Sequence, residues 1–163
     1  MKGTKRGIGF VLLCGLLLTA CGGSSTGPSG GSYYLRFTAN GTLVNFTAQP
    51  SLLAAFGQSG SQYNALITGF DASSNASVQL FDGTPITPKS YSGYTLVGNA
   101  FVGVLLTYQD AAGIVYSSGS TGTAAVTQLT ATTVTGTFSG TLQASGHPNL
   151  PVINGQFYVK RAN

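Results

Sequence analysis

The stretch Thr133–Leu142, TVTGTFSGTL, decides the fold class of this 163-residue chain. Its residues alternate between two chemical types, apolar or glycine in one set and hydroxyl-bearing in the other. The first set is Val134, Gly136, Phe138, Gly140 and Leu142, and the second is Thr133, Thr135, Thr137, Ser139 and Thr141. A period of two places the sets on opposite faces of a β-strand, one buried and one solvated. Because β-branched threonine suits that pleated surface, we predict an all-β protein.

A β-hairpin is predicted around Asn40-Gly41, since both central residues of a type I′ turn need positive φ. A two-residue turn at this point pairs apolar residues with one another on a single face. The predicted cross-strand pairs are Leu35–Phe46, Arg36–Asn45, Phe37–Val44, Thr38–Leu43 and Ala39–Thr42. Turn chemistry and hydrophobic pattern agree independently, which is the consistency expected of a hairpin.

Further stretches of the chain have the alternation or the β-branched and aromatic content of strands. They are 51–56, 63–70, 77–81, 91–97, 101–109, 114–118, 123–129 and 157–161. Turn residues separate them at Asp82-Gly83, Asp110–Gly113 and Pro148–Pro151. Short strands at this spacing predict an antiparallel β-sandwich, with a β-barrel as the alternative. We expect a single β domain over residues 33–163.

The C-terminal strands carry a resemblance. TVTGTFSGTLQ (133–143) is followed by INGQFYVKR (153–161). This pairing resembles small uncharacterised β-sandwich lipoproteins of Gram-negative bacteria, in which a Gly-Thr-Phe strand and a final Asn-Gly-x-Phe strand close the sheet. The resemblance covers only this part of the chain. It implies a sandwich and brings no catalytic residues with it.

The N-terminus has the pattern of a secretory signal peptide, which we predict over residues 1–20. Lys2, Lys5 and Arg6 precede the apolar run Ile8–Ala20, and a charged segment followed by a short apolar one is typical of an export signal. A bilayer crossing needs about 20 apolar residues. This run is shorter, so a retained transmembrane anchor is the weaker reading.

The end of the apolar run, Leu18-Thr19-Ala20-Cys21, resembles the lipobox of bacterial lipoproteins. The resemblance implies a diacylglyceryl group on the Cys21 sulfur, cleavage before Cys21, and acylation of the new amino terminus. Acyl chains buried in the lipid bilayer then make the bilayer a partner of the protein. Gly22, where an aspartate would signal retention, resembles the outer-membrane pattern, and we expect a cell-envelope protein, periplasmic or surface-facing. The alternative is an ordinary signal peptide with a chance cysteine.

Residues 22–32, GGSSTGPSGGS, consist only of Gly, Ser, Thr and Pro. Such a segment cannot bury apolar surface, so with Cys21 it predicts a lipidated, flexible linker over 21–32. Cys14 leaves with the signal peptide and Cys21 carries lipid. The mature chain therefore has no thiol for a disulfide, a nucleophile or a thiolate metal site.

The net charge of +4, from 7 basic and 3 acidic residues, belongs mostly to the signal peptide. Cleavage leaves four basic residues against three aspartates. The basic residues that remain are Arg36, Lys89, Lys160 and Arg161. A nearly neutral domain lacks the basic face of a nucleic-acid-binding protein, so we expect no nucleic-acid partner.

The remaining polar residues predict a protein that is not an enzyme. Asp71, Asp82 and Asp110 each stand beside turn residues, where an aspartate binds the backbone. His147, the single histidine, lies in a loop and cannot supply a zinc site alone. No Gly-x-Ser-x-Gly elbow is present in a strand–turn–helix context. We predict no catalytic residues, no metal and no cofactor, and rank a hydrolase using His147 last.

Eight tyrosines leave ligand binding open. A tyrosine offers an apolar ring with a polar tip, which suits sugars and protein interfaces, although tyrosine is also a favoured strand residue. Tyr91 and Tyr94, beside glycine-rich turns, predict an exposed aromatic pair as a candidate ligand site.

The leading hypothesis is a membrane-anchored lipoprotein that presents a non-catalytic β-sandwich as a structural or interaction module. The alternative is a surface lipoprotein that binds a carbohydrate or another ligand. The expected partners, besides the bilayer, are a glycan or a protein.

Overall fold

The computed structural model describes residues 32–47 and 51–162. These residues form twelve strands and no helix. The strands are β1 Tyr34–Ala39, β2 Thr42–Phe46, β3 Leu52–Ser59, β4 Gln62–Phe70, β5 Asn75–Asp82, β6 Ser90–Ser92, β7 Tyr94–Val97, β8 Ala100–Gln109, β9 Val115–Ser117, β10 Thr123–Leu129, β11 Thr133–Leu142 and β12 Leu150–Lys160. The predicted signal peptide, Cys21 and linker residues 22–31 lie outside the described residues.

The strands form two antiparallel sheets that pack against each other. Sheet A has the order β2-β1-β12-β11-β10-β6. Sheet B has the order β3-β4-β5-β8-β7, with β9 also paired to β8. Each sheet has free edges, so the predicted β-sandwich is confirmed and the alternative of a closed barrel is not what forms.

The core lies between the sheets and is built from the apolar face of each. Sheet A contributes Leu35, Phe37, Val134, Phe138, Leu142, Val152, Phe157 and Val159, and sheet B contributes Leu52, Ala54, Ile67, Val78, Leu80, Val104 and Leu106. Burial of apolar area, at about 25 cal/mol per Å², is the main force that holds the sheets together. The hydroxyl rows of the strands face away from it.

The predicted hairpin is confirmed in register. Leu35 pairs with Phe46 and Phe37 with Val44. Asn40 and Gly41 have φ angles of 47° and 80°, as a type I′ turn requires. The two predicted strands 123–129 and 133–142 also begin and end where the structure places β10 and β11.

The predicted single strand 91–97 is wrong, because the chain changes sheet within it. β6 belongs to sheet A and β7 to sheet B, with only Gly93 between them. The Gly93 N–H donates to Gly122 O, and its carbonyl accepts the Val104 N–H. A side chain on Gly103 would collide with that carbonyl. Two glycines thus let the backbones approach closely enough for the crossover.

The last strand is longer than the predicted 157–161, since β12 begins at Leu150 and includes Pro151. The prediction placed Pro148–Pro151 in a turn. Proline lacks an N–H, but near the start of a strand this costs little, and the Pro151 carbonyl accepts the Asn40 N–H at 3.3 Å. Asn154, with a φ of 56°, lies at a register shift against β1 and marks a bulge, so β12 continues past it.

Candidate functional site

The predicted exposed pair of Tyr91 and Tyr94 is wrong, because the two residues lie on different sheets. Tyr91 points into the core from β6 and is 3% exposed. Its hydroxyl donates to the Thr87 carbonyl at 2.9 Å and accepts the Thr87 N–H at 3.1 Å. Tyr91 therefore holds the loop before β6 in place. Tyr94 lies on β7 in sheet B and is half-buried.

Asp82 and Lys89 form an ion pair across the loop that leads from sheet B to sheet A. The Lys89 ammonium binds Asp82 Oδ2, and the Thr84 N–H and hydroxyl both donate to Oδ1 at 3.2 Å. Burial alone would raise the pKa of the Asp82 carboxyl, but Lys89 and the Thr84 N–H outweigh it and lower that pKa. The hydrogen bond to Asp82 raises the pKa of Lys89. The two charged groups therefore join the two ends of the loop through which the chain passes from sheet B to sheet A.

The other two carboxylates bind their own turns, as the sequence predicts. Asp71 Oδ1 accepts the N–H groups of Ser73 and Ser74 at 2.8 and 2.7 Å. These backbone donors lower the pKa of the Asp71 carboxyl. Asp110 Oδ1 accepts the Ile114 N–H at 2.9 Å. Each carboxylate satisfies backbone donors that a turn would otherwise leave to solvent.

His147 lies in the exposed loop between β11 and β12. Its ring contacts that of Tyr116 with centroids 6.3 Å apart, and its backbone N–H donates to the Ala144 carbonyl at 3.1 Å. In the described ranges no ion pair involves His147. The same residues contain no group of three potential metal ligands.

An aromatic cluster of Phe81, Tyr94 and Phe101 lies on the outer face of sheet B. Tyr94 stacks on Phe101 with ring centroids 4.9 Å apart and planes 10° apart. Phe81 contacts both rings, with its centroid 5.1 Å from that of Tyr94 and 6.5 Å from that of Phe101. Gly103 of β8 pairs with Phe81 on one side and with Tyr94 on the other. Because Gly103 has no side chain, the two rings meet above it. Phe101 is 40% exposed.

A polar row crosses the outer face of sheet A. Strand pairing aligns Asn45, Arg36, Gln156, Thr137, Ala125 and Ser90 from β2 to β6. Arg36 Nε and Nη2 donate to Gln156 Oε1 at 3.1 and 2.7 Å. The guanidinium carbon lies 4.6 Å from the centroid of the Tyr34 ring. Two contacts therefore hold Arg36 against the sheet.

A tyrosine cluster of Tyr33, Tyr34 and Tyr158 lies beside this row. Tyr34 pairs with Tyr158 across β1 and β12, and their ring centroids are 6.3 Å apart. Tyr33 lies closer to Tyr158, at 5.2 Å. All three are half-buried, so each ring keeps part of its surface open to solvent.

The sheet A groove is a concavity of about 560 Å³ on the same outer face. It crosses β6, β10, β11 and β12. Seven of its twelve lining residues carry hydroxyl or amide side chains, namely Ser90, Ser92, Thr123, Thr137, Ser139, Asn154 and Gln156. The other five are Tyr91, Ala124, Ala125, Phe138 and Gly155, and no charged side chain lines the groove. The groove thus offers many neutral donors and acceptors.

The sequence reasoning missed Arg36 and Gln156 as neighbours. The alternation within each strand already places Arg36 and Thr137 on outward faces. The alternation does not give the strand order. Gln156 comes to lie between Arg36 and Thr137 only because β12 is inserted between β1 and β11. The one available signal was the resemblance that made Asn154-Gly155-Gln156 part of a closing strand.

Comparisons of this chain with protein-family models, with curated proteins and with solved structures matched none of them. The described part of the chain contains no helical segment with the length and hydrophobicity of a membrane span. A sandwich fold alone does not specify a function, which depends on the residues that its surfaces present.

Proposed function

We propose that this chain is a lipid-anchored cell-envelope protein that presents its β-sandwich as a non-catalytic binding module. The anchor is the acylated Cys21 of Leu18-Thr19-Ala20-Cys21, whose acyl chains partition into a bilayer. Gly22 favours the outer membrane. The Gly-, Ser-, Thr- and Pro-only composition of residues 22–32 is typical of a linker, and a linker at this place would keep the domain close to material at the membrane surface.

The sheet A groove is the observation that carries the binding role. Binding sites for small ligands are concave and present a few convergent polar groups. The groove has this form, and its volume of about 560 Å³ lies within the roughly 300–1,000 Å³ of such sites. Its residues come from four strands of one sheet, so the framework beneath it is rigid.

The positions of the ionisable residues support a non-catalytic role. Asp82 pairs with Lys89, and Asp71 and Asp110 bind backbone N–H groups of their own turns. None of these carboxylates lines the sheet A groove. General acid–base chemistry needs a carboxyl or an imidazole within hydrogen-bond reach of the substrate.

The anchor is tested by a pair of cysteine substitutions. We expect Cys21→Ser to abolish incorporation of radiolabelled palmitate and to move the protein out of the membrane fraction. Cys14→Ser is the matched control, because Cys14 leaves with the predicted signal peptide, and this variant should label like the wild type. Palmitate incorporation that is unchanged in Cys21→Ser contradicts the anchor.

The binding role is tested by a photo-crosslinking amino acid placed in whole cells at Thr137, in the groove. The same group at Leu66, 38% exposed on β4 of sheet B, is the control. We expect a defined adduct from position 137 and none from position 66. An absence of adducts at position 137, or equal adducts at both positions, contradicts a binding role for the groove.

A further inference from the structure

We infer that the sheet A groove binds a neutral oligosaccharide, oriented by Gln156 and Arg36 and bounded by the rings of Tyr34 and Tyr158. The inference rests on the proposed function, because it names the ligand class of that same groove. Four features support it: the lining of the groove, its paired backbone, the held amide of Gln156 and the tyrosine cluster at its border.

The lining matches the chemistry of sugar hydroxyl groups. Each sugar hydroxyl both donates and accepts, and so do serine, threonine, asparagine and glutamine side chains. The groove offers seven of these and no charged group. A cationic ligand would meet no carboxylate in the groove, and an anionic ligand would have only the Arg36 guanidinium at the border, which is already bound to Gln156. Either charge would carry a desolvation cost that a neutral ligand avoids. A neutral polyol is the ligand that this lining satisfies best.

The backbone beneath the groove argues against a peptide as the ligand. β10, β11 and β12 are interior strands of sheet A, paired on both sides. Extended peptides bind to sheets by adding a strand at a free edge, where main-chain groups are open. Only β6, at one end of the groove, is an edge strand. The rest of the groove crosses the face of the sheet, where a ligand is recognised mainly by side chains.

Gln156 is held in one orientation before any ligand arrives. Arg36 binds its Oε1 through both Nε and Nη2, at 3.1 and 2.7 Å. This assigns Nε2 as the donor side of the amide, and within the described residues no protein acceptor pairs with it. Arg36 keeps further N–H donors of its own. A pre-oriented amide loses little conformational entropy on binding.

The tyrosine cluster supplies the apolar surface that a pyranose ring needs. One side of a pyranose consists of C–H groups, which pack against an aromatic ring while the hydroxyl rim reaches polar groups. Tyr158 follows Gln156 by two residues on β12, so the two share a face about 7 Å apart along the strand. A sugar over Tyr158 therefore has its rim beside the Gln156 amide.

The aromatic cluster of sheet B is less suited to the same ligand. Its rings contact one another, with the Tyr94 centroid 4.9 Å from that of Phe101 and 5.1 Å from that of Phe81, as the rings of the tyrosine cluster also do. The difference is position, because this cluster lies on the outer face of sheet B, away from the groove hydroxyls and the Gln156 amide. The cluster provides a comparison site for the experiment.

The test uses the full lipidated protein in lauryldimethylamine oxide, a detergent without a sugar headgroup. It is applied to a printed array of neutral gluco-, manno- and galacto-oligosaccharides and their uronic-acid counterparts. We expect binding to neutral members only. Gln156→Leu should weaken this binding about tenfold, as loss of one or two oriented hydrogen bonds implies. Gln79→Leu, the same change on the outer face of sheet B, should leave it unchanged.

Thermal unfolding of each variant checks that it folds. Thr137→Val, which keeps the side-chain shape and removes one groove hydroxyl, replaces Gln156→Leu if that variant does not fold. Silence of the wild type on the array overturns the inference. So does binding that survives both groove substitutions, or that is lost only in Tyr94→Ala. An adduct to a protein at Thr137 in cells, with a silent array, would retain the proposed function and overturn the neutral-sugar inference alone.

Discussion

The side-chain amide of Gln62 takes the place of a missing strand residue beside Phe101. The Phe101 N–H donates to Gln62 Oε1 at 2.6 Å, and Gln62 Nε2 donates to the Phe101 carbonyl at 3.0 Å. Nε2 also donates to the Asp82 carbonyl at 3.1 Å. β7 pairs with β8 at Phe101 on one side. On the other side β5 ends at Asp82, where the chain leaves for sheet A, so that side of β8 would otherwise have no partner at this point. The amide continues the ladder for one more pair.

Gln62→Leu should therefore loosen the start of β8. We expect the free energy of unfolding to fall by about 1 kcal/mol, a modest loss because solvent can reach the freed groups. Amide hydrogen exchange at Phe101, followed by NMR, should accelerate more than exchange elsewhere in β8. Gln79→Leu on the adjacent strand is the control. Unchanged exchange at Phe101 would show that Gln62 does not maintain the ladder.

Lys89→Met should destabilise the fold by about 2 kcal/mol at neutral pH, because it leaves the mostly buried Asp82 carboxylate without its charged donor. Urea denaturation of the wild type and the variant measures the difference. Lys160→Met, a change to an exposed lysine on β12, is the control and should alter stability by less than about 0.5 kcal/mol. Equal effects of the two changes would contradict a structural ion pair.

The contribution of this pair should depend on pH in a defined direction. The pKa of Asp82 is lowered from its ordinary value of 3.8, so its contribution is present above pH 3.8 and is lost as the pH falls through the lower folded-state value. The pKa of Lys89 is raised from 10.5, so its contribution is lost as the pH rises beyond 10.5. Denaturation of wild type and Lys89→Met across pH should show their difference shrinking at both ends. A stability difference between wild type and Lys89→Met that grows as the pH falls would contradict the predicted pH dependence.

Tyr91→Phe should lower the free energy of unfolding by about 1 to 2 kcal/mol, since the Thr87 N–H and carbonyl lose their hydroxyl partner at a buried site. Tyr94→Phe is the matched control, because the Tyr94 contacts in sheet B are made by the ring, and it should cost less than about 0.5 kcal/mol. Thermal denaturation of both variants makes the comparison. A larger loss in Tyr94→Phe would reverse the roles assigned to these residues.

Gly136→Ala should be among the most damaging small substitutions in the chain. A methyl group there would overlap the Phe157 ring and the Ala125 carbonyl oxygen. Overpacking of this kind costs about 1 to 3 kcal/mol, and the rigid backbone contact places this site at the upper end. Gly41→Ala has open space around it and a φ of 80°, so only backbone strain of about 1 kcal/mol is expected. Urea midpoints that rank the two in the other order would contradict this packing.

Local sequence signals predict most strands correctly because each strand has its own period. Thr133–Leu142 alternates without interruption, and the Asn40-Gly41 turn forces a register that the hydrophobic pattern repeats. The error at 91–97 arises where a glycine pair lets two distant backbones meet. Gly93 and Gly103 bring the crossover against β8, and no property of residues 91–97 themselves records that contact.

The candidate site likewise has features that the sequence predicts and features that depend on the tertiary structure. Sequence chemistry indicates that aspartates bind turns and that tyrosines are available for binding. Tyr91 and Tyr94 are predicted as a pair because they are close along the chain. That prediction is wrong, because Tyr91 is buried. Arg36 and Gln156 are 120 positions apart. Their contact depends on which strand lies next to which.

The amino-acid sequence by itself thus determined the all-β class, the hairpin and the outward hydroxyl rows, because alternation and turn conformation are local properties of the chain. Tertiary structure decided the strand order, the change of sheet at Gly93 and the joining of Arg36, Gln156 and the tyrosine cluster into one surface. Those features follow from long-range pairing. The free energy of such pairing depends on packing between segments that the local pattern does not relate.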